Sequence, residues 1–172
     1  MRIALLGNSG SGKSTLARWL AGRAGAPLLD LDTVAWEAGQ VAVAREPWAA
    51  LHEVMLFCTT HEHWVVEGCY ANLVAAALPF QPRLLFLDPG EATCLAHCRA
   101  RPWEPHKYGT KAEQDERLAF LLTWVREYYT REGDLSWRGH RACFDGYAGP
   151  KEELAQVPDL AAPPPGVLAW LA

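Results

Sequence analysis

Nine residues near the amino terminus, Gly7, Asn8, Ser9, Gly10, Ser11, Gly12, Lys13, Ser14 and Thr15, have the spacing G-x-x-x-x-G-K-[ST]. That spacing cradles a polyphosphate. Gly7 and Gly12 admit backbone conformations that turn several N–H groups towards phosphate oxygens. Lys13 can reach the terminal phosphates, and the Ser14 hydroxyl is a ligand for Mg²⁺. A helix starting at Lys13 would add the positive end of its dipole. The expected ligand is a nucleoside triphosphate with Mg²⁺.

Phosphoryl transfer further needs acids near the metal and the acceptor, and cations over the moving group. Two apolar runs end in such acids. Leu28-Leu29-Asp30-Leu31-Asp32, read as extended, places Asp30 and Asp32 on one face. Their repulsion there calls for a cation or a substrate hydroxyl. Val65-Val66-Glu67-Gly68 ends in an acid able to hold a metal-bound water beside the loop. Asp88 also follows an apolar run, but Asp88, Pro89 and Glu91 make a helix-start signal that accounts for it. Residues 99–117, with two prolines, a glycine and several basic residues, fit a flap that closes over phosphates. Arg99, Arg101 and Arg117 are its candidates for stabilising the transferring phosphoryl, and Arg101 and Arg117 are put forward as catalytic.

The elements that must position these groups alternate between strands and helices. Strands are expected at 3–6, 28–32, 64–68, 83–88 and 141–145. Helices are expected at 13–24, 47–60, from 88 to about 99, from 110 towards 133, and from Pro150. Thr110 and Glu113 form a capping box for the long helix, whose apolar face is Leu118, Leu121, Leu122, Val125, Tyr128 and Tyr129. The alternation predicts an α/β, three-layer fold: an about five-stranded parallel sheet with helices on both faces and a short lid at about 100–117. One domain spans 1–158. A proline-rich tail, 159–172, is either a connector that holds the last residues against the body or a frayed end.

With 172 residues there is room for one well-buried core. A net charge of −4 argues against a general nucleic-acid partner. The cysteines, 58, 69, 94, 98 and 143, include no C-x-x-C pair and read as reduced thiols of a cytoplasmic protein. The apolar run before Gly7 is too short for a signal peptide, and no run is long enough to span a membrane. Nothing calls for an obligate protein partner. Asn8 and Asn72 are the sole asparagines and neither precedes a lysine, so the guanine reader of switch GTPases is missing and ATP is favoured. Cys94, His97 and Cys98 share a helix face without a convincing fourth ligand, and are read as packing. Trp36 and Trp48 are candidates for an aromatic wall beside the acceptor.

Taken in order, GNSGSGKST, LLDLDTVAW, VVEGCY, LLFLDPGEATCLAHCRAR and CFDGYAGPKEEL resemble the small P-loop kinases of the shikimate, gluconate and adenylate kinase groups. The shared Leu31-Asp32-Thr33-x-x-Trp36 is most similar to bacterial adenylate kinase-like proteins, some labelled DNA topology modulation proteins. The resemblance implies that Asp30 serves the Mg²⁺ shell, that Asp32 contacts the accepting hydroxyl, and that a loop after strand five, with Gly149 and Lys151, contacts adenine. Glu67-Gly68 lies where adenylate kinases have Asp-Gly. Their following arginine is replaced by Cys69-Tyr70-Ala71-Asn72, and the triple glycine of shikimate kinases is absent, so neither substrate carries over. Residues 33–63 hold Arg45 as their sole full cation, which favours an uncharged small-molecule hydroxyl acceptor over a nucleoside monophosphate. A non-kinase ATPase or nucleotide-binding regulator is the alternative from another class.

Overall fold

The computed structural model describes residues 1–37, 43–104, 109–163 and 165–171. Five strands form one all-parallel sheet: β1 (Arg2–Gly7), β2 (Leu28–Asp30), β3 (Trp64–Gly68), β4 (Arg83–Leu87) and β5 (Lys151–Leu154), in the order β2-β3-β1-β4-β5. Successive residues of β1 point to opposite faces, as the pleat demands. Ile3 and Leu5 join one core and Ala4 and Leu6 the other. The first core is closed by α1 (Lys13–Ala24) through Leu16, Ala17, Leu20 and Ala21. The second is closed by α3 (Pro47–Thr60), α4 (Ala71–Ala77) and α8 (Trp137–Gly146). The chain enters at β1, builds β2 and β3 on one side, then crosses to β4. The carboxyl ends of β1 and β3 therefore flank the topological switch point where such sheets bind ligands. No helix among the described residues is long and apolar enough to cross a membrane.

Several elements differ from the sequence expectation. Residues 141–145 are not a strand but the second half of α8. Ser136 caps that helix by accepting the Gly139 N–H (3.0 Å), and it buries His140 and Phe144 four residues apart. Arg141 and Asp145 pair along its outer face (2.8 Å). The fifth strand is instead Lys151–Leu154, where a helix start was expected. An edge strand needs little beyond its ladder, so a sequence as polar as KEEL serves, with Leu154 alone turned to the core. Asp88 does not cap a helix: α5 (Glu91–Ala100) starts after Gly90, and the Asp88 carboxylate accepts the Tyr129 hydroxyl (2.6 Å) and the Trp137 indole (2.9 Å). The long helix breaks at Arg117 into α6 (Lys111–Glu116) and α7 (Leu118–Arg126), with a 3-10 turn at Glu127–Tyr129. Thr110 does cap α6, accepting the Glu113 N–H (3.1 Å). Of the tail, Val167 and Trp170 are buried against β1 and α1, and the Trp170 indole donates to Glu152 (3.0 Å).

One buried polar link joins α8 to the end of β3. His140 is fully buried. Its Nε2 lies 2.8 Å from the Cys69 carbonyl, which can only accept, so Nε2 carries the hydrogen. Nδ1 then accepts the Tyr128 hydroxyl (2.7 Å). Burial lowers the imidazole pKa to about 4. The unfolded chain protonates near the ordinary 6.5, so between the two values it binds the proton that the fold refuses, and stability falls as the pH drops through that window. At 1.36 kcal/mol per unit, the full loss approaches roughly 3 kcal/mol. Thermal melts at pH 7.5 and 5 test this. The wild type is expected to lose much of that amount, and His140→Gln, less stable at pH 7.5, to show a flatter pH dependence. Equal pH dependence in both would remove His140 as the cause.

Candidate functional site

The phosphate loop leaves β1 at Gly7, where a Cβ would meet the Leu87 carbonyl at 2.5 Å and the Ser11 hydroxyl at 2.8 Å, so no side chain fits. Its turn closes with Ser11 N–H to the Asn8 carbonyl (3.2 Å). Gly10 and Gly12 lie at φ 80° and 90°, a region that glycine alone adopts without strain. At Gly10 a Cβ would also overlap the Cys94 carbonyl. Two side-chain hydrogen bonds brace the loop against α5 and α7. His97 Nδ1 donates to the Gly10 carbonyl (2.7 Å), and the buried Asn8 amide donates to the Val125 carbonyl (3.1 Å) while its Oδ1 accepts the Ser9 N–H (2.8 Å). Asn8 thus acts on the loop's frame. No side chain caps α1 at Gly12, and the buried Ser11 hydroxyl has no protein partner among the described residues. An uncapped helix start behind two left-handed glycines is a cradle suited to phosphate oxygens.

Lys13 opens α1 and is nine-tenths buried, with Nζ 4.0 Å from Glu67 Oε2. Burial alone would lower the lysine pKa, but the charge of Glu67, with Cys69 and Asp32 behind it, outweighs that and raises it. Lys13 stays an ammonium. Glu67 is pushed up, first by burial and then by Asp30 and Asp32, against the pull of Lys13 and a hydrogen bond from Ser14. Strand register explains the crowding: Asp30 of β2 stands directly opposite Glu67 of β3, on the face that α1 covers. Asp30 and Asp32 thus add negative charge around Glu67, the acid that faces Lys13, an excess that a divalent cation would neutralise. Ser14, Asp30 and Glu67 offer it oxygen donors, as Mg²⁺ requires. Among the described residues no three metal-ligating side chains converge, so Mg²⁺ would complete its shell with phosphate oxygens and water.

Asp30 and Asp32 do not share a strand face. β2 stops at Asp30, Leu31 turns, and Asp32 opens the short helix α2 (Asp32–Ala35). Asp30 Oδ1 accepts the Asp32 N–H (3.0 Å), and the Asp30 carbonyl accepts the Thr33 hydroxyl (2.6 Å). The two-residue turn competes with the strand, as aspartate side chains do. Asp32 nevertheless remains close enough to Lys13 and Glu67 for its charge to act on both. Its Oδ1 accepts the Tyr70 hydroxyl at 2.8 Å.

Gly149 and Lys151 are not brought to the phosphate loop. Lys151 registers with Leu84, near the amino end of β4, and its Nζ donates to the carbonyls of Phe144 (2.8 Å) and Asp145 (3.0 Å). The displaced fifth strand accounts for the error. The segment that does follow β5 passes Gly12, where a Cβ would meet Val157 at 3.0 Å. Thr15 and Leu16, with Val157, Pro158 and Leu160, line a cavity of about 340 Å³ beside the loop. Of the lid, residues 105–108 lie outside the described residues. Arg99, Arg101, Lys111 and Arg117 line one cleft. Arg101 pairs with Glu104 (3.3 Å), and its charge acts on Lys13. Arg117 is exposed at the break between α6 and α7.

Three functional candidates escaped the sequence reading or were read differently. Tyr70 has no motif of its own. Trp36 was expected as a flat wall, yet its indole N–H donates to the Tyr70 hydroxyl (2.7 Å), whereas Trp48 is 71% exposed. Arg131 has Nε and Nη1 on the carbonyls of Leu135 and Trp124 (both 2.8 Å) and lies 3.6 Å over the Trp124 ring. Burial lowers its pKa, against the opposing charges of Cys69, Glu127 and Tyr128. Arg138 and Arg141, by contrast, are paired locally, Arg138 with Glu132 and Arg141 with Asp145 and Glu153.

No family model matches the sequence, and no curated protein matches it. Among solved structures the chain is similar to a gluconokinase from Sinorhizobium meliloti 1021, at 19% identity and TM-score 0.59, over 99% of this chain and 90% of that one. It is also similar to a sugar kinase from Janibacter sp. HTCC2649, at 16% identity and TM-score 0.53, over 98% of this chain and 92% of that one. Neither match carries the finer resemblance to adenylate kinase-like or DNA topology proteins. What both share with this chain is the fold: a parallel five-stranded α/β sheet with its phosphate loop at the end of β1, the P-loop kinase fold.

Proposed function

We propose that the chain is a kinase that moves the γ-phosphoryl group of ATP to a hydroxyl of a small acceptor bearing an acid group. The observation that carries this reading is Asp32, held by Tyr70 within electrostatic reach of the Lys13–Glu67 pair. A plain phosphate site has no use for a second, separately anchored carboxylate. In the step, the acceptor oxygen bonds the γ-phosphorus as the bond to the bridging oxygen breaks. ADP leaves with that electron pair, and the acceptor proton passes to Asp32. Lys13 holds the terminal phosphates, and Arg101 or Arg117 of the lid offsets charge on the transferring group. Mg²⁺, held through Ser14 with Asp30 and Glu67 behind it, would neutralise phosphate charge. The cavity beside Gly12, walled by Leu16, Val157 and Pro158, takes the adenine.

The acid group of the acceptor is supported by Arg131. Among the described residues no carboxylate lies within ion-pair distance of it; Glu127 acts on its charge from farther off, and its two hydrogen-bond partners are neutral carbonyls. The scarcity of cations in 33–63 is thus met from another segment, since Arg45 itself pairs with Glu53. The gluconokinase and sugar kinase similarities agree with a hydroxylated acceptor. Five unpaired thiols favour the reducing cytoplasm as its compartment.

Mass spectrometry of reactions with Mg-ATP and gluconate, other hydroxy acids, uncharged polyols and nucleoside monophosphates tests the reading. A phosphorylated hydroxy acid is expected, with Lys13→Ala slower by roughly a hundredfold or more. Arg131→Ala is expected to raise the acceptor KM about tenfold, equivalent to about 1.4 kcal/mol of binding. ATP turnover indifferent to every acceptor would make the chain an ATPase, and phosphorylated nucleoside monophosphates would move it to that class. Titrating Mg²⁺ separately checks the acid behind the metal. Glu67→Gln is expected to raise the Mg²⁺ requirement about tenfold, and an unchanged requirement would remove Glu67 from that role.

A further inference from the structure

The carboxylate assigned to the acceptor is itself held by two aromatic side chains from separate segments. Trp36 follows α2 and is fixed by a backbone bridge to Ala44. Its indole N–H donates to the Tyr70 hydroxyl at 2.7 Å, and that hydroxyl lies 2.8 Å from Asp32 Oδ1. Chemistry sets the direction of this chain. An indole nitrogen only donates, a carboxylate only accepts, and a phenol has one hydrogen. Trp36 therefore occupies a lone pair of Tyr70 and leaves its hydrogen for Asp32. Burial first, and then the charge of Asp32, push the Tyr70 pKa far above its ordinary value, so the phenol remains a donor at every physiological pH.

The anchor of this relay is as rigid as the sheet. Tyr70 stands two residues after Gly68, the last residue of β3, and caps α4 with backbone at φ −106°, ψ 96°. Its ring packs on the core that holds Leu31, Val34 and Val66. The segment that carries Glu67 thus also leads into the group that holds Asp32. Asp32 has its backbone on the Asp30 carboxylate at the end of β2 and its side chain on Tyr70 just after β3.

Resting on the kinase reading, we infer that Tyr70 is a positioning residue. Its hydroxyl fixes the Asp32 carboxylate in the orientation that meets the acceptor hydroxyl, and Trp36 aims the Tyr70 hydrogen to do so. The phenol touches neither phosphate nor acceptor and acts through Asp32. Removing its oxygen takes away this hydrogen bond without removing any charge, so the loss belongs to turnover rather than to ATP binding.

Steady-state kinetics with Mg-ATP and gluconate, or the panel acid phosphorylated fastest, test this alongside thermal melts. Tyr70→Phe is expected to lower kcat at least tenfold with the ATP KM within twofold. Trp36→Phe, at a half-exposed position where folding is not at risk, should lose less in the same direction. In the decisive cycle, Tyr70→Phe on an Asp32→Asn background is expected to cost nothing further. Losses that multiply in the double variant, or a kcat within twofold in Tyr70→Phe, would reduce Tyr70 to packing. A readout independent of turnover is the Trp36 indole N–H resonance, assigned by its absence in Trp36→Phe. If it shifts in both Tyr70→Phe and Asp32→Asn, the relay stands even where no acceptor is phosphorylated, and only the kinase reading fails. If Asp32→Asn leaves it unmoved, the relay is overturned.

Discussion

A lysine ammonium with nine-tenths of its residue buried needs a partner, because the desolvation of an unpaired charge costs several kcal/mol. Lys13 has Glu67, and most of the site follows from that demand. The acid must lie within reach of the first turn of α1, which places it at the carboxyl end of the neighbouring strand. Register then sets Asp30 beside Glu67 on the same face. With the charges of Asp30 and Asp32 added to Glu67, the arrangement is poorly balanced on its own. A bound cation and a ligand that brings its own phosphates would balance it.

The same loop is tied to α5 and α7, which flank the lid segment, by contacts that involve no phosphate. Asn8 reaches the Val125 carbonyl of α7, His97 of α5 reaches the Gly10 carbonyl, and Gly10 presses on the Cys94 carbonyl. Between α5 and α7 lies a small apolar cluster of Cys94, Leu95, Cys98 and Val125. The cysteine and histidine face that resembles a metal motif is thus spent on holding the loop against the helices that carry Arg99 and Arg117. A shift in the loop's backbone has a direct mechanical path to the lid arginines, through packed groups and two hydrogen bonds. Arg101, meanwhile, has Glu104 as its partner and would exchange it for phosphate charge.

Much of this fold was legible because burial writes itself into periodicity. The runs 3–6 of β1, 64–66 of β3 and 84–87 of β4 are apolar, as strands covered on both faces must be, and α1 is bounded by the phosphate loop and Gly25. The errors fall where burial is partial. β5 is an edge strand whose burial alternates, and its glutamates imitate a helix start. Helix α8 contains a glycine and the string RACFD, and its helical logic emerges only when Trp137, His140 and Phe144 are seen to face the same core. Asp88 carried a complete capping signal, yet two donors from distant helices claimed the carboxylate. Tertiary partners outbid a local motif that offered a single backbone bond.

The two halves of the site differ in legibility for a related reason. The proposed phosphate site lies in one contiguous stretch, Gly7 to Thr15, where backbone N–H groups and one helix end would do most of the binding. Local chain geometry is enough to encode it. The proposed acceptor half draws on Asp32, Trp36 and Tyr70, joined by hydrogen bonds across two segments, with Arg131 from a third. Each of these residues is ordinary in its own neighbourhood: a tyrosine after a strand, a tryptophan before a loop, an arginine after a helical turn. Their meaning lies in the distances between them. A fold arranged this way can keep its phosphate chemistry fixed while the acceptor changes with a few side chains at the ends of β2 and β3, and for that reason the acceptor is read from the charge and hydrogen-bond direction of those four groups.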